Sequence, residues 1–262
     1  MEAGPGKTVV LGLGNILHAD DGAGAQVHAV SDLNLEVEKG SITSLIGPNG
    51  AGKTTTFNLI CGEIHPHQGK IFFIGTEIDR LPPHQIAALG VSRTFQNIRL
   101  FSSLTVKEHI AVSQYIRYRS SLINSILEAP LYREEKKIVS RRTNEIMEKV
   151  GLEDYANEPA VNLPYGLQRR VEFARAMAVG TVFMLLDEPT AGMNIQESNE
   201  MMEMIRTLTD FGMTILLVEH DMKVVMSIST KVWVMDQGMI IASGTPDEIK
   251  KDPCVIKAYL GE

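Results

Sequence analysis

Gly47-Pro-Asn-Gly-Ala-Gly-Lys-Thr54 is the stretch on which the fold of this chain turns. The apolar run Ser41–Ile46 precedes it and reads as a buried strand. Lys53–Ile60 follows and reads as a helix. A glycine loop between strand and helix, at this spacing, is the Walker A phosphate loop. Its glycines let successive backbone N–H groups turn inward as an anion nest, and the helix points its positive end at the phosphates. Gly47, Pro48, Asn49, Gly50, Ala51 and Gly52 would form the cradle. Lys53 would reach the outer phosphates, the Thr54 hydroxyl would ligate Mg²⁺, and Thr55 would touch the α-phosphate.

A second stretch completes the chemistry. Val182-Phe-Met-Leu-Leu-Asp187-Glu188-Pro189 is a buried strand that delivers two acids at its carboxyl end, the Walker B arrangement. Asp187 would stand in the Mg²⁺ shell, and Glu188 would take the proton from an attacking water. Alone, an apolar strand ending in Asp-Glu marks only a solvated strand end. Beside a phosphate loop it reads as a site.

Around these two stretches the text is α/β. Lys70–Ile74 and Glu77–Ile78 suit a ribbon turning at Gly75, and residues 106–150 read as helical with a break near Pro130. The periodicity predicts a helix over Leu167–Ala178, and Asn194 with Glu197 suggests a capping box opening a helix over Ile195–Leu208. Met213–Val218 is a further strand, and Lys231–Met235 with Met239–Ala242 form a hairpin around Gln237-Gly238. From Pro246 a short helix, a proline break and a last helix follow. Strands alternating with helices imply a mainly parallel sheet covered on both faces.

Composition bounds the function. The chain has 262 residues, with 32 acidic and 25 basic side chains for a net charge of −7, which argues against a general nucleic-acid binder. Cys61 and Cys254 form no CxxC, so a disulfide scaffold and a zinc ribbon are excluded and a reducing compartment fits. No apolar run approaches the ~20 residues that span a bilayer. Val9–Leu17 is interrupted by glycines and followed by Asp20 and Asp21, unlike a secretory signal. The expectation is a cytoplasmic protein that reaches a membrane only through partners. The basic residues Arg117, Arg119, Arg133, Lys136, Lys137, Arg141 and Arg142 read as a solvated helix face.

The order of motifs resembles the nucleotide-binding subunit of ABC transporters. Gln96 lies between Walker A and Walker B, Leu163-Pro-Tyr-Gly-Leu-Gln168 precedes Walker B, and Thr190-Ala-Gly-Met-Asn194 and His220 follow it. The resemblance implies a RecA-like core, an antiparallel β-subdomain and a helical insertion at about residues 97–178, within an ABC domain spanning 29–262. It implies ATP and Mg²⁺ as ligands. Gln96 would stand near the attacking water, the cation and the membrane partner, and His220 at the γ-phosphate. Leu163, Pro164, Tyr165, Gly166, Leu167 and Gln168 would meet the nucleotide of a second ATPase subunit in a head-to-tail dimer. Transmembrane permease subunits would dock on the Gln96 region and Phe101–Val106.

Arg93-Thr-Phe-Gln-Asn-Ile-Arg-Leu-Phe101, the Leu-Pro-Tyr-Gly wording and Tyr259-Leu-Gly-Glu262 are similar to the ATPases of high-affinity branched-chain amino-acid importers. An ATPase of another membrane complex, such as a lipid or lipopolysaccharide exporter, is the alternative. Pro164 and Tyr165 stand where the general family has Ser and Gly, so main-chain N–H groups and a helix dipole beginning near Leu167 take over the phosphate contact. Leu167 replaces a Gln of the family pattern.

Residues 1–28 differ in style, and residues 1–30 hold six Gly, five Ala and no aromatic side chain. Gly24 falls where the family has an aromatic residue against adenine, a stack worth ~1–3 kcal/mol. His18 and His28 are the nearest flat side chains. Residues 8–27 resemble the opening of hydrogenase maturation endopeptidases, in which Asp21 would be a nickel ligand; a metal-dependent peptidase relative is thus a third reading. The segment reads as a foreign graft or a divergent first strand. Two decoys fall away: Gly4-Pro-Gly-Lys-Thr8 has no strand before it, and Gly12-Leu-Gly14 has Leu17 at the third glycine place of a dinucleotide fingerprint.

Overall fold

The computed structural model describes residues 7–13, 16–20, 26–31, 33–94, 100–115 and 130–260. It divides into two compact units. One joins Met1–Gln96 to Val182–Glu262, and the other is Asn97–Thr181.

The first unit is built on two principal sheets. Strands β4 (Leu33–Glu38), β1 (Lys7–Leu13), β6 (Lys70–Phe73) and β7 (Thr76–Glu77) pair in that order as an antiparallel sheet. The second sheet has the order β12 (Met239–Gly244), β11 (Lys231–Asp236), β5 (Ile42–Ile46), β10 (Thr214–Val218), β9 (Phe183–Asp187) and β8 (Val91–Arg93). All its pairs are parallel except the β11–β12 hairpin. A separate ribbon, β2 (Ile16–Asp20) with β3 (Gln26–Val30), sets His18 opposite His28.

The burial pattern explains the topology. Every residue of β5 and β10 is buried, as expected for central parallel strands covered on both faces. Helix α1 (Lys53–Ile60) lays Phe57, Leu59 and Ile60 into one core with Leu45, Phe183, Leu185, Leu216 and Val218. Each such side chain contributes about 1.5–3 kcal/mol on full burial. That packing fixes the start of α1 against the carboxyl end of β5, where ligands bind in open parallel sheets. Helices α2 (Pro83–Ala88), α6 (Ile195–Asp210), α7 (Met222–Ile228), α8 (Pro246–Ile249) and α9 (Pro253–Leu260) complete this unit. The Asn194–Glu197 capping box opens α6, with Met201, Ile205 and Leu208 buried. Val255 of α9 packs in a cluster with Ile46, the last residue of β5.

The second unit is helical. A capping box of Thr105 and Glu108 opens α3 (Val106–Gln114). Helix α4 spans Pro130–Val150. Ile146, Met147 and Val150 bury one side of it, and Arg133, Lys136, Lys137 and Arg141 are exposed on the other. Gln114 ties α3 to α4 by donating to Thr143 Oγ1 at 2.8 Å. Helix α5 runs Tyr165–Val179, two residues earlier than the periodicity suggested. Gln168 Nε2 donates to Leu163 O at 2.8 Å and to Val161 O at 3.1 Å, which braces the early turn after Pro164. The N-terminal end of this helix dipole is therefore at Tyr165 and not at Leu167.

Candidate active site

The phosphate loop is held in shape by its own unit. Gly47 has φ 151°, and a Cβ there would lie 2.0 Å from Met235 O on β11. Only glycine fits so close a main-chain approach. Gly52 takes a left-handed conformation and caps α1. The hairpin turn at Gly238 donates to Ala51 O at 3.0 Å and accepts from Ser31 N at 2.8 Å. Lys53 Nζ donates to Gly47 O at 2.7 Å and to Pro48 O at 3.0 Å. Burial pulls the Lys53 ammonium below its ordinary pKa, and the charges of Glu188 and Asp187 oppose that pull. On the other flank of the loop, burial raises the Tyr259 phenol above its usual range, while a hydrogen bond with the Gly47 main chain acts in the opposite sense.

Facing the loop, β9 delivers Asp187 and Glu188. Asp187 Oδ2 accepts from Arg93 Nη2 at 2.8 Å. Glu188 has φ 47°, an uncommon conformation for a side chain other than Gly, Asn or Asp, and its N–H donates to Val218 O at 2.9 Å. Backbone strain of this kind costs about 1–3 kcal/mol and clusters at functional sites. The Glu188 side chain meets His220, whose Nε2 lies 2.8 Å from Glu188 Oε1. Asn49–Thr55, Asp187, Glu188, Val218, His220, Gln237 and Gly238 line one cleft.

Sequence reasoning passed over Glu219. It is a buried acid at the end of β10, with Thr190 N–H donating to its Oε1 at 3.0 Å and Thr190 Oγ1 at 2.5 Å. Its Oε2 accepts from His220 N at 3.0 Å. One carboxylate thus braces both the chain after Glu188 and the backbone of His220. Glu beside a His at an apolar strand end was the available signal, but its partner Thr190 lies 29 residues away.

The stretch Leu163–Gln168 belongs to the helical unit. Leu163 is buried, Pro164 is the extended N-cap of α5, and Tyr165 is 44% exposed. Among the described residues no side chain caps this helix start, and a Cβ on Gly166 would meet nothing within 4 Å. Leu167 and Gln168 are half-buried on its first turns. Gln96, Asp21, Gly24, Arg117, Arg119, Gly261 and Glu262 lie outside the described residues.

An α/β phosphate-loop cassette with two acids and a histidine across from the loop is the architecture of a nucleoside triphosphatase. The ABC transporter family profile matches residues 30–191, and that of the branched-chain amino acid ATP-binding cassette transporter matches residues 239–262. The chain is 45% identical over 235 residues to the high-affinity branched-chain amino acid transport ATP-binding protein LivG of Escherichia coli strain K12, covering 89% of this chain and 92% of the relative. BraF of Pseudomonas aeruginosa, of the same description, is 44% identical over 89% and 92% of the two chains. The lipopolysaccharide export system ATP-binding protein LptB of Haemophilus influenzae is 34% identical over 89% and 91%. Among solved structures, an ATP-binding cassette of an ABC transporter in its ADP conformation has TM-score 0.80 and 27% identity, covering 98% of this chain and 99% of that one. The chain belongs to the ABC transporter family, as its ATP-hydrolysing cassette.

Proposed function

We propose that this chain powers an importer of branched-chain amino acids, with Glu188 as the base that activates the hydrolytic water. The observation that carries the reading is the 2.8 Å contact of His220 Nε2 with Glu188 Oε1, in the cleft that the phosphate loop also lines. Glu188 and His220 are partly exposed, so water reaches them. His220 orients Glu188, and Lys53 with the loop N–H groups binds the β- and γ-phosphates. The substrate class rests on the similarity to LivG and BraF and on the match at residues 239–262.

The donor set fits Mg²⁺. Among the described residues no group of three or more His, Cys, Asp or Glu is placed to hold a metal alone. Thr54 and Asp187 instead share the cleft, and Mg²⁺ is typically held by one or two such oxygens together with substrate phosphates. Thr54, Asp187 and Gln96 would hold it, and it would neutralise charge developing on the transferred phosphate.

Two such ATPase subunits, paralogous or identical, would close head to tail. Leu163–Gln168 of each would then present the open helix start at Tyr165 to the other's nucleotide. ATP would bind the closed pair better than the open one, and that difference is what drives transport. Permease subunits would meet the Gln96 segment and Phe101, which is 59% exposed. Among the described residues no helix is long and apolar enough to cross a membrane. Attachment to the inner face of the membrane would come from those permeases.

Glu188→Gln is the test. It is expected to keep ATP binding and to lower steady-state hydrolysis by at least ~100-fold. Hydrolysis within a few-fold of the parent would remove Glu188 from the role. Co-purification with amino-acid permease subunits, against lipopolysaccharide-export components, checks the substrate class.

A further inference from the structure

Beside Asp187 stands Arg93, the last residue of β8 and three positions before Gln96. It is 10% exposed, and its guanidinium touches Asp187 of the cleft and Phe57, Asn58 and Glu63 on and just after α1. Nη2 donates to Asp187 Oδ2 at 2.8 Å. Nη1 donates to Asn58 Oδ1 at 2.6 Å, on the helix that begins with Lys53. Glu63 Oε2 lies 3.7 Å from Nη1, and the Cζ atom sits 5.5 Å from the centroid of the Phe57 ring. Strand pairing sets Arg93 opposite Leu185, two residues before Asp187, so the backbone already aims the side chain along β9.

We propose that Arg93 is a positioning residue: it grips one oxygen of Asp187, anchors that grip on Asn58 of α1, and so fixes the carboxylate relative to Thr54 for the divalent cation. The proposal rests on the reading of Asp187 as a holder of that cation.

The chemistry of the guanidinium suits this task. Its planar fork reaches a carboxylate and an amide oxygen at once, in fixed directions. The charge matters equally. Asp187, Glu188 and Glu219 crowd the carboxyl ends of neighbouring strands, Arg93 pairs with Asp187 at 2.8 Å, and the Lys53 ammonium also feels the charge of Asp187. A carboxylate paired through one oxygen keeps the other for a cation, without swinging toward solvent. Residues that orient a metal's ligands typically change metal affinity by 10–100-fold when removed. Arg93 also joins the strand that leads to Gln96 to the Walker B acid, through one side chain.

The experiment measures binding of a fluorescent ADP with Mg²⁺ and again with the cation chelated, and takes the ratio of the two affinities. Hydrolysis is not needed for this readout. In Arg93→Gln the ratio is expected to fall about 10-fold, with the metal-free affinity within about twofold of the parent. Arg93→Lys keeps the charge without the fork, and Asn58→Ala keeps the arginine without its anchor. Each is expected to lower the ratio about threefold. A purely architectural arginine would lower the melting temperature and leave the ratio as it was. An unchanged ratio in Arg93→Gln, or in both milder variants where Arg93→Gln does not fold, overturns the proposal. Asp187→Asn separates the two levels. If its ratio falls while the Arg93 variants hold theirs, Arg93 loses its role and the site reading stands. If its ratio also holds, Asp187 is not the cation's holder and both readings fail together.

Discussion

The phosphate loop and the start of α5 both offer main-chain N–H groups at the head of a helix, yet they are built in opposite ways. The base of the loop is braced on several sides, while a Cβ at Gly50 would meet nothing within 4 Å. Met235 O bars a Cβ at Gly47, Gly238 bonds to Ala51, and Lys53 bonds back to Gly47 and Pro48. At α5, among the described residues, no side chain caps the helix, a Cβ at Gly166 would meet nothing within 4 Å, and Tyr165 is partly exposed. The first is completed by its own unit. The second presents an uncapped helix start, the geometry suited to an anion on another molecule.

That contrast can be broken most sharply at the two glycines. Gly47→Ala forces backbone to move off Met235, and ATP affinity is expected to fall at least ~100-fold, because the loop that binds phosphate loses its shape. Gly166→Ala meets no neighbour, so nucleotide binding to the single chain is expected to stay within about twofold while hydrolysis falls roughly 10-fold. Equal losses of single-chain binding in both variants would show that the two helix starts are not built differently. Equilibrium binding and steady-state rates on the same preparations decide it.

Glu219 sharpens the comparison at the next level of magnitude. Its carboxylate accepts three hydrogen bonds while buried, from Thr190 twice and from His220 once. Truncation to Ala leaves those donors without their acceptor and is expected to cost about 3 kcal/mol of stability, read by urea unfolding. Hydrolysis should fall as well, since both Glu188 and His220 lose their brace. A stability change below ~0.5 kcal/mol would show that the brace is dispensable.

The smallest effect concerns the two thiols. Burial pushes Cys61 up to about 12, with Arg93 pulling it down and Glu63 and Asp187 adding to the rise. Cys254 is exposed. At pH 8 a thiol with that value is thiolate in about one molecule in ten thousand. Iodoacetamide on the folded protein should therefore modify Cys254 and spare Cys61, and mass spectrometry reads the site. Labelling of Cys61 at a rate like that of Cys254 would mean that the end of α1 opens readily.

Much of this was legible in the chain. The phosphate loop, the strand ending in Asp187-Glu188, the Asn194–Glu197 box and the Gln237-Gly238 hairpin are local devices whose residues lie close in sequence. The start of α5 was read two residues late, because Tyr165 and Gly166 have low helix propensity and the Gln168 amide that braces the turn is not a periodicity signal. The contacts of Glu219 and Arg93 were not legible for a different reason. The partners Thr190 and Asp187 lie 29 and 94 residues away, so neither the Glu-His pair at a strand end nor the wording around Arg93 names them.

Strand β1 carries a last lesson, about tolerance to rewriting. Its text resembles that of another enzyme family, yet it pairs with β4 from Lys7 to Leu13 and with β6 from Val9 to Gly12. Main-chain bonds are blind to side-chain identity, and what a sheet requires of an inserted strand is an extended run with apolar residues at alternate places. Val9, Leu11 and Leu13 meet that requirement. A strand held in this way can be rewritten widely while the cassette stays whole, because the sheet checks only for length, direction and every second residue.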